Sequence, residues 1–196
     1  RAFIEPISRT LRTYKEDDPR LEARYARAIA YYRRPDLMRA IPLIDGLIEE
    51  RPADPYFLEL KGQMLFENGR VGESVPYYEK AALRAPGSGL LRRALGQAQM
   101  ESGERVQIEQ AIGNLTIATN ADKTDPFSWQ LLGTAYGKLD MHGESSLALG
   151  EAALLTGKPA DAKYHAERAA VLFKQGSTGW MQAQDILHAL ENQKAK

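Results

Sequence analysis

The sequence predicts an all-α protein, a right-handed solenoid of antiparallel helix pairs closed by a C-terminal capping helix. Three observations lead there. A glycine sits inside the amphipathic stretch "LKGQMLFENGR" at 60–70, where it costs about 1 kcal/mol relative to alanine. The same setting returns at Gly96 and Gly133 after steps of 34 and 37 residues, and 34 residues before Gly62 the position is Ala28. Punctuation repeats too: Pro42 with Pro76, Pro52 with Pro86, Gly69 with Gly103, and Asp54-Pro55 with Asp125-Pro126.

A period of 34 residues made of two helices is the tetratricopeptide-repeat (TPR) signature. Each unit is a helical hairpin, and small residues let its two helices approach closely. Gly62, Gly96 and Gly133 are therefore expected where the paired helices cross. The series Ala40, Ser74, Ala111, Ser145 and Leu47, Ala81, Ala118, Ala152 hold the same register. Gly69 and Gly103 are still 34 apart, so the three extra residues of the longer step fall around "ERVQ" at 104–107.

Taken in order, residues 1–20 form an N-terminal connecting helix and 21–196 a repeat domain. In "RAFIEPISRTLRTY", Phe3, Ile4, Ile7, Leu11 and Tyr14 share one helical face. That face needs cover from the chain's own groove, the first unit or another copy, because so short a helix is marginal alone. Repeat units are expected at 21–54, 55–88 and 89–125, then hairpins over 126–175 and a capping helix at 177–193. Asp54 and Asp125 read as N-caps, each followed by a proline at the first helical position, where its missing N–H costs nothing. Pro42 and Pro76 are expected near the start of second helices, where proline is tolerated. Asn68-Gly69 and Ser102-Gly103 mark turns. "GKPADAKYHAERAAVLF" repeats the second-helix pattern with Ala162, Ala166 and Ala169 at helical spacing. In the last helix Trp180, Ile186, Leu187 and Leu190 point inward and Gln182, Gln184, Asp185 and Glu191 outward, as a solenoid end requires.

Composition narrows the function classes. Hydrophobic residues at 43% support a packed core. Lys plus Arg equals Asp plus Glu at 26 each, so nothing favours nucleic acid or an acidic membrane as partner. Cysteine is absent, which excludes disulfides and thiol nucleophiles. No apolar run reaches the roughly 20 residues of a membrane-spanning helix, and the start lacks a signal-peptide pattern. Arg1 at the start points to a piece of something longer. His142, His165 and His188 fall on separate predicted elements, and H-E-x-x-H, G-x-S-x-G and G-x-x-x-x-G-K-[ST] do not occur. Asp161 and His165 share a helix face, but two ligands do not make a zinc site. We therefore assign no catalytic, cofactor or metal residue. Trp129 reads as an anchor between paired helices, and the basic cluster Arg24, Arg27, Arg33, Arg34 as a solvated helix face.

In such a stack the first helix of each pair lines the groove at i, i+3, i+7 and i+10. That places Glu22, Tyr25, Ile29 and Tyr32 in the first unit, and Tyr56, Glu59, Gln63 and Phe66 in the second. Leu90, Arg93, Gln97 and Met100 follow in the third, and Phe127, Gln130, Thr134 and Gly137 in the fourth. A groove aromatic at one end and polar at the other suits a protein or peptide partner.

Longer phrases carry a resemblance. "LEARYARAIAYYRRPDLMRAIPLIDGLIEERPADPYFLELKGQMLFENGRVGESVPYYEKAALRAP", "WQLLGTAYGKLD" and "GSTGWMQAQDIL" closely resemble the C-terminal repeat region of bacterial M48-family zinc metalloproteases, periplasmic proteins similar to the β-barrel assembly-enhancing protease. The resemblance implies a non-catalytic interaction module that recruits substrates or partners in outer-membrane protein quality control, with a periplasmic home. It implies zinc only in a peptidase domain outside this sequence. The alternative it implies is an autoregulatory or oligomerisation domain, packing on the peptidase or, through the N-terminal helix, on another copy.

Overall fold

Helix breaks fall where the repeat punctuation stands. A computed structural model describes residues 4–194, and among them there are helices α1 (Ile7–Thr13), α2 (Leu21–Arg33), α3 (Leu37–Glu50), α4 (Pro55–Glu67), α5 (Val71–Arg84), α6 (Gly89–Glu101), α7 (Arg105–Ala121), α8 (Pro126–Lys138), α9 (His142–Leu155), α10 (Pro159–Leu172) and α11 (Thr178–Lys194), with no strand. The chain forms two compact units, Arg1–Pro86 and Gly87–Lys196.

In the first unit α2 pairs with α3 and α4 with α5. Ile29, Ile44, Leu47, Leu60 and Met64 are buried together, each worth about 1.5–3 kcal/mol relative to exposure. Asp54 caps α4 by accepting from the Tyr56 N–H at 2.9 Å. Gly62 does what its spacing predicts: a Cβ there would lie 3.1 Å from the Tyr78 ring of the paired helix. Pro42 and Pro76 stand deeper than expected, at the sixth residue of α3 and α5. Both are exposed, as are Met38 and Gly72, whose carbonyls lose their helical N–H partner and face water instead.

The N-terminal segment finds its cover within this unit. Leu11 and Tyr14 pack against the core and Thr10 is fully buried, while Ile4 is exposed; Phe3 lies outside the described residues. The arginine cluster expected to form a solvated face is solvated only in part: Arg34 is exposed, but this segment covers Arg27 and Arg33. Arg27 is 4% exposed and donates to the carbonyls of Lys15 and, at 3.0 Å, Asp18. Arg33 donates to the Glu5 carbonyl at 2.6 Å, and the Tyr31 hydroxyl to Glu16 at 2.9 Å. Arg24 instead grips Glu50 of α3 through two hydrogen bonds of 2.6 Å.

The second unit pairs α6 with α7, α8 with α9 and α10 with α11. Its crossings are tighter. A Cβ on Gly96 would lie 2.6 Å from Leu115 Cγ, and one on Gly133 2.7 Å from Leu149 Cγ. The three extra residues lengthen a helix: α7 has 17 residues where α3 and α5 each have 14. Hairpin turns use the left-handed region at Gly103 (φ 78°) and at Asp140 (φ 60°), the latter a residue type whose short polar side chain tolerates it. Gln99, 2% exposed, is satisfied across the α6–α7 seam by Gln110 at 3.1 Å and Asn114 at 2.8 Å. On α10, Ala162, Ala166 and Ala169 are fully buried. On α11, Ile186 and Leu190 are buried, and Gln182, Asp185 and Glu191 are exposed.

Candidate interaction surfaces

Within the first unit the residues expected to line a groove separate into two groups. Ile29 (2% exposed) and Tyr32 (9%) belong to the core, because α2 is covered on more than one flank. Ile29 has no surface to offer. The Tyr32 hydroxyl donates to Glu67, whose other oxygen accepts from Gln63 Nε2 at 2.8 Å. That pair ties α2 to α4, and burial first, then the Glu67 contact, pushes the Tyr32 hydroxyl pKa up.

The others reach solvent. Tyr56 is 66% exposed, and Tyr25, Glu59, Gln63 and Phe66 are half-buried. The Tyr25 ring lies 5.2 Å from the Phe57 ring, tilted by 46°. Burial, then the charges of Glu59 and Asp54, push the Tyr25 hydroxyl to about 12. Glu59 is pushed above the usual carboxylate range by burial alone. Among the described residues it has no ion pair or hydrogen bond to relieve it. An unpaired carboxylate amid aromatic rings is costly to the fold and attractive to a partner's donors.

In the second unit the expected residues are more committed. Arg93 donates to Asp125 at 2.8 Å and its guanidinium lies 5.5 Å from the centre of the Phe127 ring. Asp125 also caps α8 through the Phe127 N–H at 3.2 Å and accepts from the Ser128 hydroxyl at 2.6 Å. Burial opposes its charge, but the hydrogen bonds from Ser128 and Arg93 outweigh this and hold its pKa below the usual range. Gln97 bonds Glu101 at 2.9 Å along its own helix. Thr134 turns its hydroxyl back to the Gln130 carbonyl at 2.9 Å. Gln130, Leu90 and Phe127 are exposed.

One feature of this unit was not apparent from the sequence. A cavity of about 350 Å³ opens between α7, α8, α9 and α11, lined by Trp129, Tyr136, Glu144, Glu151, Phe173 and Gln182 among others. Trp129 is an anchor, as read from sequence: it packs on the core beside Leu132 and its Nε1 donates to the Lys123 carbonyl at 3.0 Å. It is also a cavity wall. Glu144 and Glu151 stand seven residues apart, two turns along one face of α9, a spacing that sequence displays. Phe173 lies in the α10–α11 connection, and nothing local announces that its ring sits against Gly143 and Gly179. His142, His165 and His188 lie on α9, α10 and α11, and no group of three metal-ligating side chains comes together among the described residues.

Comparison with known proteins agrees with this helical-repeat class. Residues 25–90 match the tetratricopeptide repeat family model. No curated protein sequence matches the chain. Among solved structures, the chain is similar to MamA residues 41-end from Desulfovibrio magneticus RS-1, with 15% identity and a TM-score of 0.66 over 89% of this chain and 95% of that one. It is also similar to a MamA MSR-1 structure (20% identity, TM-score 0.66, 78% and 86% covered) and to a MamA RS-1 double mutant (22%, 0.65, 77% and 82%). At such identities the likeness defines the fold: this chain has the TPR-like solenoid fold, all α-helical.

Proposed function

We propose that the chain is a non-catalytic protein-interaction module that captures a polypeptide on the first-helix face of its first unit. The observation that carries this is the exposed Tyr56 beside the half-buried, unpaired Glu59, with Tyr25, Gln63 and Phe66 on the same side of α2 and α4. Exposed aromatic area supplies binding energy, while the amide and carboxylate select polar groups of the bound chain. Repeat folds of this class serve as extended binding surfaces, which supports a binding role over chemistry.

The resemblance of the segments at 21–86, 129–140 and 176–187 supports a finer reading. In it the module is the partner-recruiting arm of a periplasmic metalloprotease acting in outer-membrane protein quality control. Packing of Leu11 and Tyr14 on their own unit weakens the alternative of self-association through the N-terminal helix.

The test is anisotropy of a labelled, unfolded outer-membrane-protein peptide titrated with the chain. Tyr56→Ala and Phe66→Ala should each weaken capture about tenfold, and the buried control Ile29→Val should not. Undiminished capture by both surface variants removes this face as the site, and no capture of any such peptide removes the quality-control reading.

A further inference from the structure

The second unit's cavity is walled by three aromatic side chains and carries two carboxylates, and no Lys, Arg or His lines it. Neither Glu144 nor Glu151 has a hydrogen bond or ion pair among the described residues. A carboxylate that is partly dehydrated without a counter-charge is unfavourable unless something supplies one. Consistent with that, burial and then the nearby Asp185 push the Glu151 carboxyl above its ordinary range. The aromatic faces act in the same sense, because a ring's negative face attracts a cation within about 6 Å.

We propose that this cavity receives the ammonium group of a lysine side chain presented by a partner polypeptide, with Glu151 and Glu144 as counter-charges and Trp129, Tyr136 and Phe173 enclosing the alkyl stem. Size and shape select this occupant. About 350 Å³ lies at the small end of ligand pockets, enough for one long side chain and too little for a helix or strand. Lysine combines a four-carbon apolar stem with a compact charge, matching a lining that combines aromatic side chains with separate carboxylates. Arginine's planar fork is best served by a single carboxylate offered edge-on. The walls are well seated: a Cβ on Gly179 would lie 2.7 Å from the Phe173 ring and one on Gly143 3.1 Å from it, so the ring is held between two helices. The site is distinct from the first-unit face and does not depend on it.

The experiment uses the full chain carrying Trp180→Phe, which leaves Trp129 as the sole indole reporter. Its emission is followed while titrating a blocked pentapeptide with one lysine among glycines, with calorimetry in parallel. Expected are saturable binding of the lysine peptide, at least tenfold weaker binding when its side chain is Nε-acetylated, and a similar loss in Glu151→Gln. Circular dichroism confirms that the variant is folded. Tyr56→Ala should leave this binding untouched, so failure here and failure on the first-unit face are separately visible. Equal affinity for the acetylated peptide, or undiminished binding in Glu151→Gln, overturns the proposal. Tighter binding of the same pentapeptide with arginine in place of lysine overturns the choice of lysine. Equal affinity for n-butylammonium alone makes the cavity a free-amine site and overturns the polypeptide partner.

Discussion

Asp54 and Asp125 open corresponding helices in the two units, each ahead of a proline, yet they are asked to do different amounts. Asp54 holds the Tyr56 N–H and so satisfies one orphan donor at the start of α4. Asp125 holds the Phe127 N–H, the Ser128 hydroxyl and the Arg93 guanidinium together, linking α6 to α8. The same letter pair thus marks a local cap in one unit and a tertiary junction in the other. The largest expected effect follows: Asp125→Ala should cost about 2–3 kcal/mol, the cap plus charge-assisted bonds left unmade. Asp54→Ala should cost about 1 kcal/mol. Urea unfolding of the two variants measures the gap, and equal losses would show that Arg93 and Ser128 add nothing to the cap.

The helix crossings sharpen the comparison. A Cβ on Gly62 would face the flat Tyr78 ring at 3.1 Å, whereas one on Gly96 would face the branched Leu115 at 2.6 Å and the Ala111 carbonyl oxygen at 3.3 Å. A ring can relieve 3.1 Å by tilting a few tenths of an ångström, whereas a contact of 2.6 Å with a branched carbon, beside a second contact with main chain, demands a larger shift. Alanine gains about 1 kcal/mol of helix propensity at either site, set against overpacking of about 1–3 kcal/mol. Gly96→Ala should therefore lose about 1–2 kcal/mol and Gly62→Ala should stay within about 0.5 kcal/mol of the parent. The reverse order in denaturant midpoints would mean that the crossing in the first unit is the stiffer one.

These features were legible in sequence because they obey short-range rules. A cap and its proline are adjacent, a crossing glycine recurs at the repeat period, and three added residues extend one helix, α7, by just under a turn. Surface assignment was less legible for the same reason. The face rule puts Ile29 and Tyr32 in line with Tyr25, but whether a helical face meets solvent depends on what lies across it. Here the core claims Ile29, and Glu67 holds Tyr32. Arg27 and Arg33 of α2 make the same point, since the segment that covers them lies 9 to 28 residues earlier in the chain. The cavity needs Phe173 from a connection and Trp129 from another hairpin, a conjunction that no periodicity contains.

Glu59 and Glu151 carry the comparison to its smallest effect. Each is a half-buried carboxylate whose pKa burial pushes up, in the first and second unit respectively. A carboxyl with a raised folded-state pKa binds its proton more tightly when folded. Its contribution to stability is complete below the unfolded pKa and is lost as pH rises through the folded one. As pH rises through the folded pKa both groups take up their charge at the fold's expense. Glu59→Gln and Glu151→Gln should each raise the thermal midpoint at pH 7, by a degree or so to a few degrees (about 1–4 °C). The gain should fade as pH drops below the ordinary carboxylate range, where glutamate is protonated in both states and resembles glutamine. A gain that persists into acid would point to shape and not charge as its cause. In the second unit the unfavourable carboxylate lines an aromatic cavity, so Glu151→Gln should exchange lysine-peptide binding for its added stability, as expected where a binding site is built at the fold's cost.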